Sequence, residues 1–471
     1  MRINFRVISV CFFMLTMWET GNSKDINNTN LDVDNLYCED CNVLFLNIDL
    51  LRADHIGLLN IESHFTPNID KFFKNSIIFE DVSSVSGVTA ISNTSTLMSR
   101  DGGFIYTLLQ RTYVDKPPQL PRKYLKMFST MPTIAEVLHK NDYKTININH
   151  GWYAGKQMLL DRGIDLYWGS GEVGSTSNIP AIVLKKTTEI LLEKTKKEEK
   201  FFLLVRSEDL RSLPYRYPSN RKRITNNNIY YKKVNEKQYD IYYQTTQDGE
   251  LTIKFPNNAR IKWMKNDEFK LYRSLSQRLY AQQLKFIDEE LGKLFSYIES
   301  SSLLTNTIIV LYANHGDGLY DNRVPNHGVS YQSAISVPLL IRHPNIEHPI
   351  RVENPISLID LVPTIYQMID LTPPDNTDGV SLINTIKGKK YERPHLFGID
   401  KESKYIRVGN MKLIVWIDRT MELYDLGIDP HEESNIIEDN SKLAHKLYSL
   451  MALHEVEQLG KALEILSTET K

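Results

Sequence analysis

Apolar residues in this chain come in short unbroken runs separated by stretches of helical spacing. The segment NVLFLNID, Asn42 to Asp49, is almost wholly apolar until it ends on a carboxylate, the pattern of a strand buried on both faces of a parallel sheet. FFLLV, Phe201 to Val205, reads the same way, and TNTIIVLYANHGD, Thr305 to Asp317, again runs from an apolar strand into polar residues. TIAEVLHKNDYKTININH joins a helical stretch to a strand-like one, and a long helix is predicted over 268–300. From about Tyr391 the text changes to short strand-like pieces broken by glycine and charged turns, then to a closing helix. That change predicts a small antiparallel sheet with a terminal helix.

Strands alternating with helices of ten or more residues predict an α/β fold with a central, mostly parallel sheet flanked by helices. Ligands of such sheets gather beyond the C-terminal strand ends, so Asp49 and Asn314, distant in sequence, are placed to be neighbours. Residues 207–267 interrupt the pattern with the basic run SNRKR and the Tyr/Asn-rich NNNIYYKKVNEKQYDIYYQ. They read as an irregular surface insertion, solvated or in contact with a glycan or partner. No internal repeat is present.

Composition narrows the class. The 471 residues are 41% hydrophobic and 24% charged, which excludes disordered and collagen-like chains. Lys plus Arg number 56 against 58 Asp plus Glu, so overall charge gives no reason to expect nucleic acid or an anionic membrane as partner. At the N-terminus Arg2 and Arg6 precede an apolar run from Val7 to Trp18, with Gly21 and Ser23 following. This reads as a signal peptide over 1–23, and export to the periplasm, the exterior or a secretory lumen is expected. The run is too short to cross ~30 Å of hydrocarbon, so no stable transmembrane anchor is expected.

A polar tether over 24–41 follows. Its Cys38 and Cys41 are the only cysteines beyond the leader, able to close a local disulfide in an oxidising compartment. A lone CxxC can also be redox-active or bind metal. Asn27 and Asn93 are glycosylation sequons if the source is eukaryotic, and a glycan at Asn93 would argue against a working cleft there.

The chain also resembles a family. NVLFLNIDLLRADHIG and FTPNIDKFFKNSIIFEDVSS resemble the opening patterns of sulfatases, in the alkaline phosphatase superfamily. TIAEVLHKNDYKT, LYAQQLKFIDEELGKLF, IIVLYANHGDGL, NHGVSYQSAISVPLLIRHP, SLIDLVPTIYQMIDL and KLIVWIDRTMELYDLGIDPHEESN follow in the family's order. The resemblance implies a sulfatase-like catalytic domain over 42–390 and a small C-terminal α+β subdomain over 391–471. It also implies a divalent cation, calcium, zinc or manganese, held by Asp49, Asn314 and His315. Leu50 stands where sulfatases have a second Asp, and Asn314 where they have an Asp, so one carboxylate remains and cation binding is expected to be weakened.

Sulfatases also carry Cys or Ser followed by Pro two residues on and Arg four residues on, the signal for formylglycine. SSVSGVTAISNTSTLMS has no such sequence. Phosphodiesterase and phosphoethanolamine transferase branches use an unmodified Thr instead, and Thr89 is the candidate nucleophile. Counting from Phe79 places the nucleophile at Thr89; counting back from TLMS places it at Ala90, and Ser92 is a poorer substitute. The same segment can simply cap a helix. His327 matches a Lys or His that contacts ester oxygens, and His150 lies near another basic position of the pocket, though either can be a structural histidine. Arg211 falls near the missing histidine of DPHxPY and can bind an anion.

Two readings follow. The chain is a metal-dependent hydrolase or transferase of a sulfate or phosphate ester, its substrate an anion carried by a glycan or lipid, or it is a catalytically inactive sulfatase-like binding protein.

Overall fold

The structure, a computed structural model, describes residues 35–110, 130–149, 159–169, 179–197, 199–208, 210, 242–245, 251–254, 266–324 and 326–468. The leader, His150, Arg211 and most of the 207–267 insertion lie outside the described residues. In chain order the first half comprises β1 (Asn42–Ile48), α1 (Pro67–Phe73), β2 (Ile77–Phe79), β3 (Val82–Ser83), α2 (Thr89–Met98), α3 (Gly102–Gln110), α4 (Ile134–Lys140), β4 (Lys144–Asn149), β5 (Leu166–Gly169), α5 (Ile179–Lys197) and β6 (Phe201–Ser207). The second half comprises β7 (Tyr242–Thr245), β8 (Leu251–Lys254), α6 (Asn266–Glu299), β9 (Thr307–Tyr312), β10 (Leu339–Arg342), β11 (Ile350–Val352), β12 (Ile356–Ser357), α7 (Leu361–Met368), β13 (Leu396–Ile399), β14 (Ser403–Val408), β15 (Met411–Trp416), β16 (Met421–Asp425) and α8 (Ser441–Thr468).

Eight strands form the central sheet in the order β11-β2-β10-β9-β1-β6-β4-β5. Only β10 runs antiparallel to its neighbours, β9 and β2. β1 lies between β6 and β9 and all seven of its residues are buried, which is why its sequence is continuously apolar instead of alternating. α6 packs on α1 through stacked Phe72 and Phe295 rings, centroids 4.1 Å apart. The Asp288 carboxylate of α6 accepts from the N–H groups of Asn68 and Ile69 at 3.0 and 2.9 Å, so the second helix satisfies the free donors at the start of the first. Thr133 and Glu136 form a capping box that starts α4.

β13 to β16 form an antiparallel meander, as the sequence predicted. Its side chains alternate between two cores: Ile406 and Leu413 face Ala444, Leu447 and Met451 of α8, while Tyr405 and Ile414 face Val329, Ala334 and Ile335. The second core fastens the meander to the loop that carries His327. The insertion differs from its irregular reading, because its segments Tyr242–Thr245 and Leu251–Lys254 pair as a β7–β8 hairpin. Cys38 and Cys41 are joined in a disulfide. Among the described residues no helix is long and apolar enough to cross a membrane.

Candidate active site

The adjacency of β6, β1 and β9 brings three distant segments to one rim. Arg206, near the end of β6, is in register with Asn47 of β1, and Asn47 is in turn opposite Tyr312 of β9. The N–H of Asp49 donates to the Ser207 carbonyl at 2.9 Å, which continues the ladder and sets the carboxylate beside β6. The chain then turns at Leu50 with φ of +67°, a left-handed conformation unusual for a bulky residue. The turn is held by Tyr280 of α6, whose hydroxyl donates to the Leu50 carbonyl at 2.8 Å and accepts from the Arg52 N–H at 2.9 Å. Leu50 itself is buried.

Thr89 is the first residue of α2. Its Oγ1 lies 2.8 Å from Nε2 of His315, whereas Ala90 is buried and offers only a methyl group. The Ser92 hydroxyl is engaged elsewhere, donating to the Asn314 carbonyl; Ser84 donates to the same oxygen at 2.6 Å. These two bonds fix the β9 end against α2. His315 Nδ1 lies 2.8 Å from the Gly316 carbonyl. A carbonyl only accepts, so Nδ1 carries a proton, and it is Nε2 that faces the Thr89 hydroxyl. Nε2 is also 3.5 Å from Asp49 Oδ1.

The His327 ring stacks on His315 with centroids 4.7 Å apart, and its side chain keeps 26% of its surface exposed. It is therefore the most open of these side chains, while Thr89, His315, Asp49 and Asn314 are buried. Asp317 turns toward His327, with its carboxylate 3.8 Å from Nδ1.

Asp400 enters from the C-terminal meander and was not singled out by sequence. It accepts from Ser86 Oγ and the Gly87 N–H, both at 2.7 Å, and from Ser330 Oγ at 3.1 Å, so it clasps the Thr89 and His327 loops together. Burial pushes its carboxyl up to about 6, against the lowering effect of these donors and of His327. Gly87 is needed here because a Cβ would come within 2.9 Å of the Gly328 nitrogen. Arg206 was also missed, although a charged residue inside FFLLVRS was a signal, since a buried cation needs a partner. Its Nη2 lies 3.2 Å from Asp49 Oδ2 and its Nη1 2.6 Å from Glu208 Oε1. Asn93 has 0% exposure and its Oδ1 accepts from Asn47 Nδ2 at 2.9 Å, so this sequon side chain lies in the folded interior.

A central sheet with one antiparallel strand, a hydroxyl at a helix start and an Asp, Asn and His at neighbouring strand ends define the alkaline phosphatase-like class. The sulfatase family model matches residues 41–371 and the model for the C-terminal part of N-sulphoglucosamine sulphohydrolase matches 316–457; the chain belongs to the sulfatase family. It is 26% identical over 177 residues to mouse arylsulfatase K, covering 34% of this chain and 32% of that protein. It is 28% identical over 172 residues to the choline-sulfatase of Rhizobium meliloti, covering 35% and 33%. The matched region thus spans about a third of these relatives. A structure solved with its substrate D-glucosamine-2-N,6-O-disulfate shares the fold, with a TM-score of 0.62 at 17% identity over 89% of this chain and 98% of that one.

Sulfatases generally use a divalent metal, and the side chains here do not make up a donor set for one. Asp49 is paired with a guanidinium, Leu50 is apolar, Asn314 is neutral, and His315 Nε2 faces Thr89. Hard divalent cations require several oxygen ligands with negative charge among them. Among the described residues no group of three His, Cys, Asp or Glu side chains could hold a metal.

Proposed function

We propose that this protein hydrolyses or transfers a sulfate or phosphate ester through the unmodified hydroxyl of Thr89. The observation that carries the reading is the 2.8 Å approach of Thr89 Oγ1 to His315 Nε2, with Nδ1 anchored on the Gly316 carbonyl. A hydroxyl donating to a fixed imidazole lone pair is the arrangement of an activated oxygen nucleophile. Thr89 Oγ attacks the sulfur or phosphorus, its proton passes to His315 Nε2, and the ester's alkoxide leaves. Asp49, 3.5 Å from Nε2, stabilises the imidazolium so formed. His327, stacked over His315 and partly open, is placed to contact an ester oxygen or protonate the leaving group. The ester on Thr89 is then released by water, or by a second hydroxyl compound in a transferase. The sulfated substrate in the related solved structure favours a sulfated sugar as the compound to try once a chromogenic ester is turned over.

The test is turnover of nitrophenyl phosphate, bis-nitrophenyl phosphate and nitrophenyl sulfate by the full chain. Wild type is expected to turn over at least one, Thr89→Ala to fall to background and Thr89→Ser to keep part of the rate. Unchanged turnover in Thr89→Ala would reject the nucleophile. The buried Asp49–Arg206 pair favours a second reading, in which the fold binds an anionic ligand without turnover. Silence of the wild type toward all three esters, with stabilisation by inorganic sulfate or phosphate, supports that second reading.

A further inference from the structure

Arg206 ranks among the largest fully buried side chains, yet it is a permanent cation. The β1–β6 register lays it beside Asn47, two residues before Asp49 and on the same face of its strand. Its guanidinium meets the Asp49 carboxylate at 3.2 Å and Glu208 at 2.6 Å, with Asn149 Oδ1 at 3.4 Å. The guanidinium therefore stands directly on the Asp49 carboxylate, so that this oxygen ligand is engaged by a fixed cation and is not open to a metal ion. Asn314 adds an independent sign. It has 0% exposure, and neither of its amide atoms finds a hydrogen-bond partner among the described residues. A buried orphan amide points to a missing ligand, and its N–H can donate to an oxygen of an anion.

We propose that Arg206 is the resident cation of this site, standing on Asp49 in place of a divalent metal, so that a tetrahedral oxyanion, sulfate or phosphate, binds with no metal ion. This rests on the anion-binding part of the proposed function, and its test reads metal and ligand binding instead of turnover, so the two can fail separately.

The full chain, purified without chelator, is analysed for bound metal and then melted with EDTA, with millimolar Ca²⁺, Mg²⁺, Mn²⁺ or Zn²⁺, and with inorganic sulfate or phosphate. Wild type is expected to carry far less than one ion per chain, to melt at the same temperature with or without EDTA and cations, and to gain several degrees from sulfate or phosphate. One ion per chain, or a fall in melting temperature with EDTA, overturns the proposal. Arg206→Ser combined with Asn314→Asp vacates the cation's seat and restores a carboxylate; it is expected to gain a cation-dependent rise in melting temperature. A folded double variant without that gain also overturns it. Should the double variant fail to fold, Arg206→Lys retains the charge and is expected to stay indifferent to cations. A cation-dependent melting temperature in that variant overturns the proposal, as does a wild type indifferent to both anions.

Discussion

Asp400 shows how one side chain ties three parts of the sequence together. Its carboxyl takes three donors from the Ser86–Gly87 and Ser330 segments, and burial raises it to about 6. The native state therefore holds a proton on Asp400 that the unfolded chain gives up earlier. The stability this contributes is complete below the ordinary carboxylate range and is lost as pH rises through about 6. Asp400→Asn keeps an acceptor for Ser86 and Gly87 but does not titrate. The melting temperature of wild type relative to Asp400→Asn is thus expected to decline between about pH 4 and pH 6; parallel pH profiles would reject the assignment. Residue-level reading was strongest where chemistry sits at the end of an apolar run, as at Asp49 and His315. It missed Asp400 because an Asp in FGIDKESKY reads as a turn residue until the meander is folded back on the Thr89 loop.

At the scale of elements, the meander is joined to the main sheet by more than apolar contact. Lys412 of β15 has no exposed surface and donates to Glu432 Oε1 at 2.6 Å, while the other Glu432 oxygen accepts the Gln332 N–H at 2.5 Å. Glu432 follows β16, and Gln332 lies just beyond the His327 loop, so the pair anchors that loop's far end. Removing one member strands a buried charge at a cost of about 3–5 kcal/mol. Chemical denaturation of Lys412→Met and Glu432→Gln is expected to show losses of that size, and Lys412→Met with Glu432→Leu a smaller one. A double-variant loss equal to the sum of the two single losses would show that the charges act independently. The elements themselves were legible where burial forces a pattern: β1, β6 and β9 are continuously apolar because neighbours cover both faces. The β7–β8 hairpin was not, since its strands YYQT and LTIK are only four residues each, too short for any alternation of apolar and polar residues to set them apart from a loop.

For the whole molecule, a buried histidine adds to the dependence of stability on acid. His343, just after β10, is 1% exposed; its Nδ1 accepts the Asn345 N–H at 3.2 Å. Burial lowers it from 6.5 to about 4. The stability from keeping it neutral is complete above its ordinary value and is lost as pH falls toward about 4, on the order of 3 kcal/mol in total. Asp400 works in the opposite sense over an overlapping range, so single variants are needed to separate them. His343→Gln is expected to shift the acid unfolding midpoint downward relative to wild type; an unmoved midpoint would show that other groups govern acid unfolding.

The linear sequence determined the class of fold, the order of its strands and helices, and the identity of the groups at the strand ends, because burial on both faces writes itself into composition. The loss of carboxylates at Leu50 and Asn314 and the absence of a formylglycine signal were likewise fixed by the sequence alone. Tertiary structure decided what those groups face. It set the Thr89 hydroxyl, and not the neighbouring Ala90, against His315, and it set Arg206 on Asp49 through the β1–β6 register. Both follow from pairing and helix start, where a shift of one residue turns a strand side chain to the opposite face or a helix side chain by about 100°, a distinction no local pattern contains.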